Sequence, residues 1–265
     1  MTVLERDLVY AIESSLHVYP AVPGLTTDLA VPGVQGRMTA LSHPLANLVG
    51  MARLDEETAD ATIQRISQRY AREHKAFGWV VGPGTTPGDM KRRLERTGMH
   101  TIAHLAGMAL TDLDIPIEPN PAARIREITP DEAAAHSDMM GRAYGMPDDV
   151  AEMFARLLAA GPVQSRGYFA YLDTDAPVAW SYLVYLPSSP IVLLGGAATL
   201  PEVRGKGIYS ALVKRRLDDA RADGREAAVI QADRDTSAPI CAKLGFRELC
   251  SLEVLAWSPE SRAGR

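Results

Sequence analysis

The residues whose types and spacing point most directly to chemistry are Arg204-Gly205-Lys206-Gly207. They stand between an apolar, β-branched run, Ile191–Thr199, and a stretch from Ile208 in which Tyr209, Leu212, Val213, Leu217 and Ala220 recur at helical spacing. A strand, a glycine loop and a helix start gather unpaired backbone N–H groups at the positive end of a helix dipole. An anion is the natural occupant of that place. The glycines keep Cβ atoms out of its approach path, and Arg204 and Lys206 add positive charge. The chemistry predicted is the cradling of a diphosphate. A solvated basic turn before an amphipathic helix has the same composition. A dinucleotide fingerprint would need a glycine where Ser210 stands, and more βα units than the about 55 remaining residues supply.

The loop resembles the coenzyme A loop of the GNAT N-acetyltransferases, whose signature runs Arg or Gln, two residues, Gly, one residue, then Gly or Ala. Arg204, Gly207 and Tyr209 take those positions, the last of them altered. The resemblance covers roughly Ala122–Trp257. It implies the GNAT fold, an α/β (α+β) arrangement with a mixed central sheet flanked by helices. It further implies acetyl-CoA as cosubstrate, with no metal, its diphosphate received by Arg204, Gly205, Lys206, Gly207, Ile208 and Tyr209. Ala198, Thr199 and Leu200 would line the pantetheine arm. The Leu200 backbone N–H would face the thioester oxygen, a donor of the kind worth roughly 3 kcal/mol in a transition state.

In that family a tyrosine four residues before the glycine of a Leu-Gly-Phe segment often protonates the departing thiolate. Leu244-Gly245-Phe246 is present, and the position in question is Cys241. Its thiol is a poorly driven donor, and a small packing residue is the competing reading. The central strand has no carboxylate. Glu202, Tyr182, Tyr185, Asp233 or a bound water remain open as general base. The activity implied is direct acetyl transfer to a primary amine, on a small molecule or a peptide, by a monomer or homodimer. A catalytically silent acyl-CoA-binding regulatory module is the alternative.

These residues need elements to hold them, and the chain supplies them in an ordered series. From Ala123 the pattern reads strand, a helix capped by Thr129 with Pro130 at its first position, and a second helix Asp148–Ala160 stopped by Gly161-Pro162. A hairpin Gly167–Leu172/Val178–Leu186, the central strand, loop and helix follow. Strand Glu226–Ala232, a short helix Ala238–Lys243 and strand Glu248–Ala256 complete the set. Before them, Val3–Leu16 reads as a helix and Gly36–Leu41 and Leu45–Leu54 as strands. Glu56–His74 reads as a helix, Phe77–Val81 as a strand, Asp89–Thr97 as a helix and His100–Leu110 as a strand. Thr111–Pro121, acidic and proline-bearing, reads as a linker.

A shift of about 147 positions lays the earlier series on the later one. It places Glu57-Thr58-Ala59-Asp60 opposite Arg204–Gly207, so acids replace the basic glycine loop. The expectation is a tandem of two lobes: residues 1–118, a degenerate GNAT-like lobe without a coenzyme site, and residues 122–257, the catalytic lobe. Residues 258–265 are expected to form a flexible tail.

Composition narrows the partners. The 265 residues carry 28 Lys+Arg and 33 Asp+Glu, a net charge of −5 that argues against nucleic acid. No apolar run is long enough for a membrane span, and the acidic start lacks a signal peptide's apolar core. Two cysteines make no disulfide framework, which points to a reducing cytoplasm. His100 and His104 lie about 13 Å apart on a strand, too far to share a metal. Trp79, Trp180 and Trp257 are expected to pack in the core.

Overall fold

The structure is a computed structural model that describes residues 3–160 and 163–259. The stop read at Gly161-Pro162 and residues 260–265 of the expected tail lie outside the described residues. The first half runs α1 (Glu5–Ser14), a 3-10 turn (Ser15–His17), β1 (Thr26–Asp28), β2 (Gln35–Thr39) and β3 (Leu48–Gly50). It continues with α2 (Glu56–Arg72), β4 (Phe77–Val81), α3 (Met90–Arg96) and β5 (His100–Leu110). The second half opens with β6 (Arg124–Ile128), α4 (Pro130–Ala135), α5 (Ser137–Tyr144) and α6 (Asp148–Ala159). Then come β7 (Ser165–Tyr171), β8 (Ala179–Tyr185), β9 (Ile191–Leu193) and β10 (Ala197–Thr199). After a 3-10 turn (Pro201–Val203), α7 (Ile208–Ala222), β11 (Ala227–Asp233), α8 (Ser237–Lys243) and β12 (Arg247–Trp257) end the series.

The twelve strands of the described residues join one mixed sheet flanked by helices, in the order β1-β2-β3-β4-β12-β5-β11-β9-β8-β7-β6, with β10 paired to β8 alone. Its middle is a mirror of itself. β3 runs parallel to β4 and β9 parallel to β11, while β4/β12, β12/β5 and β5/β11 are antiparallel. The two halves are therefore interleaved: β5 lies between β11 and β12, and β12 between β4 and β5. Shifting the chain by 147 lays α3 on α8 and β5 on β12 residue for residue.

Four departures from the sequence reading matter. The run Ile191–Thr199 is two strands, because both the Gly195 and Gly196 carbonyls accept from Tyr182 N at 3.1 Å and bulge the chain. Gly196 has φ 26°, and a Cβ there would stand 2.8 Å from the Trp180 ring. The helix from Pro130 breaks at His136, whose ring packs edge-on to Phe169 at 5.4 Å. Its start is as read, with Thr129 and Glu132 forming a reciprocal capping box. β3 is only three residues long, and β1 carried too short a pattern to read. The linker is a packed strap: Leu113 is buried, Ile115 and Ile117 pack on the core under α7, and Asp114 meets Arg221 at 2.7 Å.

Candidate functional site

The site forms where β10 leaves β11. Up to Leu194, whose N–H donates to Val229 O at 2.9 Å, the two parallel segments are joined. Beyond the glycine bulge, β10 follows β8 only, and Ile230–Asp233 has no partner on that side. A wedge-shaped opening results. Gly196 on its edge is exposed, and Gly195 and Ala197 are half-buried.

The register corrects one expectation. The Leu200 N–H does not face the opening: it donates to Val178 O at 2.9 Å. Ala198 lies opposite Trp180 in the same antiparallel ladder. Strand alternation then turns the backbone groups of Ala197 and Thr199, rather than those of Ala198 and Leu200, toward the gap. Thr199 O already receives Arg204 Nε at 3.1 Å.

At the end of the opening lies the glycine loop. Gly205 and Gly207 both hold left-handed conformations, at φ 77° and 71°, and no neighbouring atom comes within 4 Å of a Cβ built on Gly205. Gly207 is the N-cap of α7 and no side chain caps that helix. The first-turn amides of Ile208, Tyr209 and Ser210 thus keep no intrahelical acceptor. Arg204 is turned inward, its Nη2 on Ala143 O at 3.1 Å, so it braces the loop against α5. Lys206 is exposed, and its carbonyl accepts from Asn120 Nδ2 at 2.8 Å, which ties the strap over the loop.

Below the opening, Cys241 is fully buried with its Sγ 3.7 Å from Tyr209 Oη. Burial pushes the Cys241 thiol up, and burial followed by Cys241 pushes the Tyr209 phenol up, so both are neutral at pH 7. The four candidate bases are dispersed. Tyr185 donates to Asp223 Oδ2 at 2.5 Å, at the far end of α7. Glu202 accepts from Arg142 Nη2 at 3.0 Å. Asp233 Oδ1 caps its own turn through Asp235 N and Thr236 N, and Tyr182 is buried with its hydroxyl unpartnered. Tyr144, 48% exposed, ends α5 with its ring 5.9 Å from Trp180.

Two residues escaped the sequence reading. Arg216 is fully buried on the sheet-facing side of α7, with Nη1 on Tyr182 O at 3.2 Å. Its signal was a charge set inside the apolar stripe of Leu212, Val213, Leu217 and Ala220. Asn120 carried no signal, because its place over the loop depends on the path of the strap. A separate cavity of about 560 Å³ in the first half is lined by His17, Tyr19, Asp28 and Arg37 among others, and contains none of the loop residues. Among the described residues no His, Cys, Asp and Glu cluster could hold a metal ion, and no helix is long and apolar enough to cross a membrane.

No curated protein matches the chain in sequence. A GCN5-related N-acetyltransferase from Kribbella flavida superposes with a TM-score of 0.68 at 16% identity, over 97% of this chain and 96% of its own. A tandem GNAT protein from the clavulanic acid biosynthesis pathway gives 0.60 at 14%, over 85% and 78%. A GCN5-related N-acetyltransferase from Sphaerobacter thermophilus gives 0.63 at 13%, over 86% and 77%. These likenesses are of fold. Residues 134–246, which contain the splayed strands, the glycine loop and α7, match the acetyltransferase (GNAT) family.

Proposed function

We propose that the protein is a coenzyme-A-dependent N-acyltransferase, with acetyl-CoA the donor expected from the family and a primary amine the acceptor. One observation carries this reading: the opening between β10 and β11 leads to a loop whose left-handed glycines leave the α7 amides free. A pantetheine arm would hydrogen-bond along the Ala197 and Thr199 edge, and the diphosphate would sit on the loop. The amine would attack the thioester directly, since among the described residues no nucleophile paired with a base lines the opening. Mixing the protein with acetyl-CoA and a panel of amines, and following thiol release, tests it. Thiol release above the no-enzyme rate supports the reading, and none across the panel removes it. The sequestered Leu200 amide and the Cys241 substitution favour the second reading, a silent acyl-CoA-binding module. That module would bind coenzyme A without turnover.

The same proposal gives the chain one coenzyme site, the first half being a degenerate copy. Where the second half opens, the matching segment 51–54 is closed: Thr86 N donates to Ala52 O at 3.0 Å and Leu54 N to Thr86 O at 3.2 Å. The buried Glu13 meets Arg53 at 3.2 Å beside that loop and fills the space further. At the start of α2, Asp60 is held by Arg93 at 3.2 Å, and Glu56 and Glu57 stand in its first turn. Acids there oppose a diphosphate. Calorimetry should give a stoichiometry of one, and two equivalent sites per chain would refute the degenerate copy.

A further inference from the structure

Among the described residues, no anion meets the buried cation of α7. Arg216 Nε donates to Leu212 O at 3.1 Å, and Nη1 reaches Tyr182 O at 3.2 Å and Gly195 O at 3.4 Å. Nη2 has no partner. The groups acting on its charge are led by Tyr209, whose side chain also hydrogen-bonds it, followed by Cys241 and Tyr168, none of them a carboxylate. Ser181 Oγ and Thr199 Oγ1 are buried without partners as well. Both lie on the α7 side of the sheet: Ala197 is opposite Ser181 and Thr199 opposite Ala179, while Trp180 and Ala198 pack toward α5 and α6. A guanidinium nitrogen and two hydroxyls are thus buried on the α7 side of the sheet without a hydrogen-bond partner. Native interiors leave few such groups, and an uncompensated guanidinium is the costliest of them.

Their position gives them a use. Gly195, whose carbonyl Arg216 holds, is the residue at which the strands part, so the guanidinium sits at the apex of the opening. The glycine loop lies at the other end, beyond about 13 Å of strand from Gly195 to Thr199 and the turn that follows it. That distance suits an extended pantetheine arm. An acyl thioester anchored at the loop would bring the tip of its acyl group to the apex.

We infer that this acyl group ends in a carboxylate: the donor is a dicarboxylic acyl-CoA of the malonyl or succinyl class, its carboxylate paired with Arg216 and hydrogen-bonded by Thr199 and Ser181. This rests on the coenzyme reading above and replaces acetyl with a charged acyl group. The bond changes are those of aminolysis. The amine nitrogen forms a bond to the thioester carbon, the C–S bond breaks, and the amine proton ends on the departing thiolate. The product is an amide with a free carboxylate, so a cationic amine leaves as an anion. Arg216 sets donor specificity and takes no part in the bond changes.

Titration calorimetry of the full chain with coenzyme A, acetyl-CoA, butyryl-CoA and succinyl-CoA tests the inference. Succinyl-CoA is expected to bind at least tenfold more tightly than butyryl-CoA, its neutral counterpart of similar length. In Arg216→Met, which removes the charge and keeps much of the stem, the two should come within twofold of each other. Because Arg216 also braces the Gly195 carbonyl, the comparison in the unmodified protein decides the question even where the Met variant does not fold. Butyryl-CoA binding as tightly as succinyl-CoA, or a preference that survives in Arg216→Met, overturns the inference and leaves the coenzyme reading standing. Binding of none of the four, coenzyme A included, overturns that reading and the inference with it.

Discussion

Replacing Gly207 with Asp separates the two reasons for a glycine at the N-cap of α7. Gly207 sits at φ 71°, and a Cβ there would be 3.6 Å from Asn120 Cβ, an ordinary contact. Space is available, so the structural cost is the left-handed backbone alone, about 1–2 kcal/mol for a residue with a side chain and less for Asp. The electrostatic cost falls on binding. A carboxylate about 5 Å from a diphosphate with two charges opposes it by about 0.8 kcal/mol per charge, even at the dielectric constant of water. The sum exceeds the 1.4 kcal/mol that corresponds to tenfold, so the dissociation constant for acetyl-CoA should rise at least tenfold. Gly207→Ala carries the backbone strain without the charge and is the control. Calorimetry on both variants, with circular dichroism to establish folding, gives the comparison. The Asp deficit should also shrink as salt is raised from about 0.05 to 0.5 M, because screening acts on it and not on strain. Equal affinities for the Asp and Ala variants, or a salt-independent deficit, would refute the placement of the diphosphate.

Cys241→Ala should keep turnover within about threefold and cost about 1 kcal/mol of stability, since the thiol is wholly buried and lies 3.7 Å from Tyr209 Oη. A hundredfold loss of kcat with an unchanged melting point would make the thiol catalytic. Asn47→Ala should destabilise the fold by about 3 kcal/mol in urea, because it bares Leu41 O, Ala76 O and Thr39 N together. A loss below about 1 kcal/mol would show that water replaces the side chain. The His17 imidazole is pushed down to about 3, by burial first and then by Arg37. The unfolded chain takes up that proton near pH 6.5 and the folded chain only near pH 3. Stability should therefore fall as pH drops through that window, by up to about 1.4 kcal/mol per unit, and be independent of this group above it. His17→Gln should flatten the change in urea midpoint between pH 7 and 4.5, and an unchanged slope would assign it elsewhere.

What was legible in the sequence was what local patterns encode. The glycine loop, α7 and the helix cap at Thr129 are set by neighbours within a turn, and so are the ends of α8 and β12. The break at Gly195-Gly196 left a mark, two glycines inside an apolar run. A strand buried on both faces has no alternation to interrupt, so the run reads as continuous. The direction of the Leu200 amide left none. It follows from which residue of β8 stands opposite, and a register slip of one would reverse it. Tyr185 fails as a base for a similar reason, because its partner Asp223 is 38 residues away in sequence and at the closed end of the helix. The interleaving of β5 and β12 is the most distant relation of all, and no periodicity specifies it.

That interleaving gives the first half a part in the site despite its acidic α2 start. β11 is one wall of the opening, and its open side is held by β9 over Ala227–Val229 only. Its other side is held by β5 over Ala228–Asp233, the full depth of the wedge. The wall therefore keeps its place because a strand of the first half is hydrogen-bonded behind it, while β10 is free to diverge with β8. The core beneath is shared in the same way: Leu8, Ile12, Leu48 and Val80 pack in one cluster with Val184, Ile191, Val229 and Leu252. Separating the halves at the strap would strip β11 of its longer partner and open this cluster to water. The width of the opening is thus a property of both halves, and the first half helps to fix the geometry of the proposed site in the second.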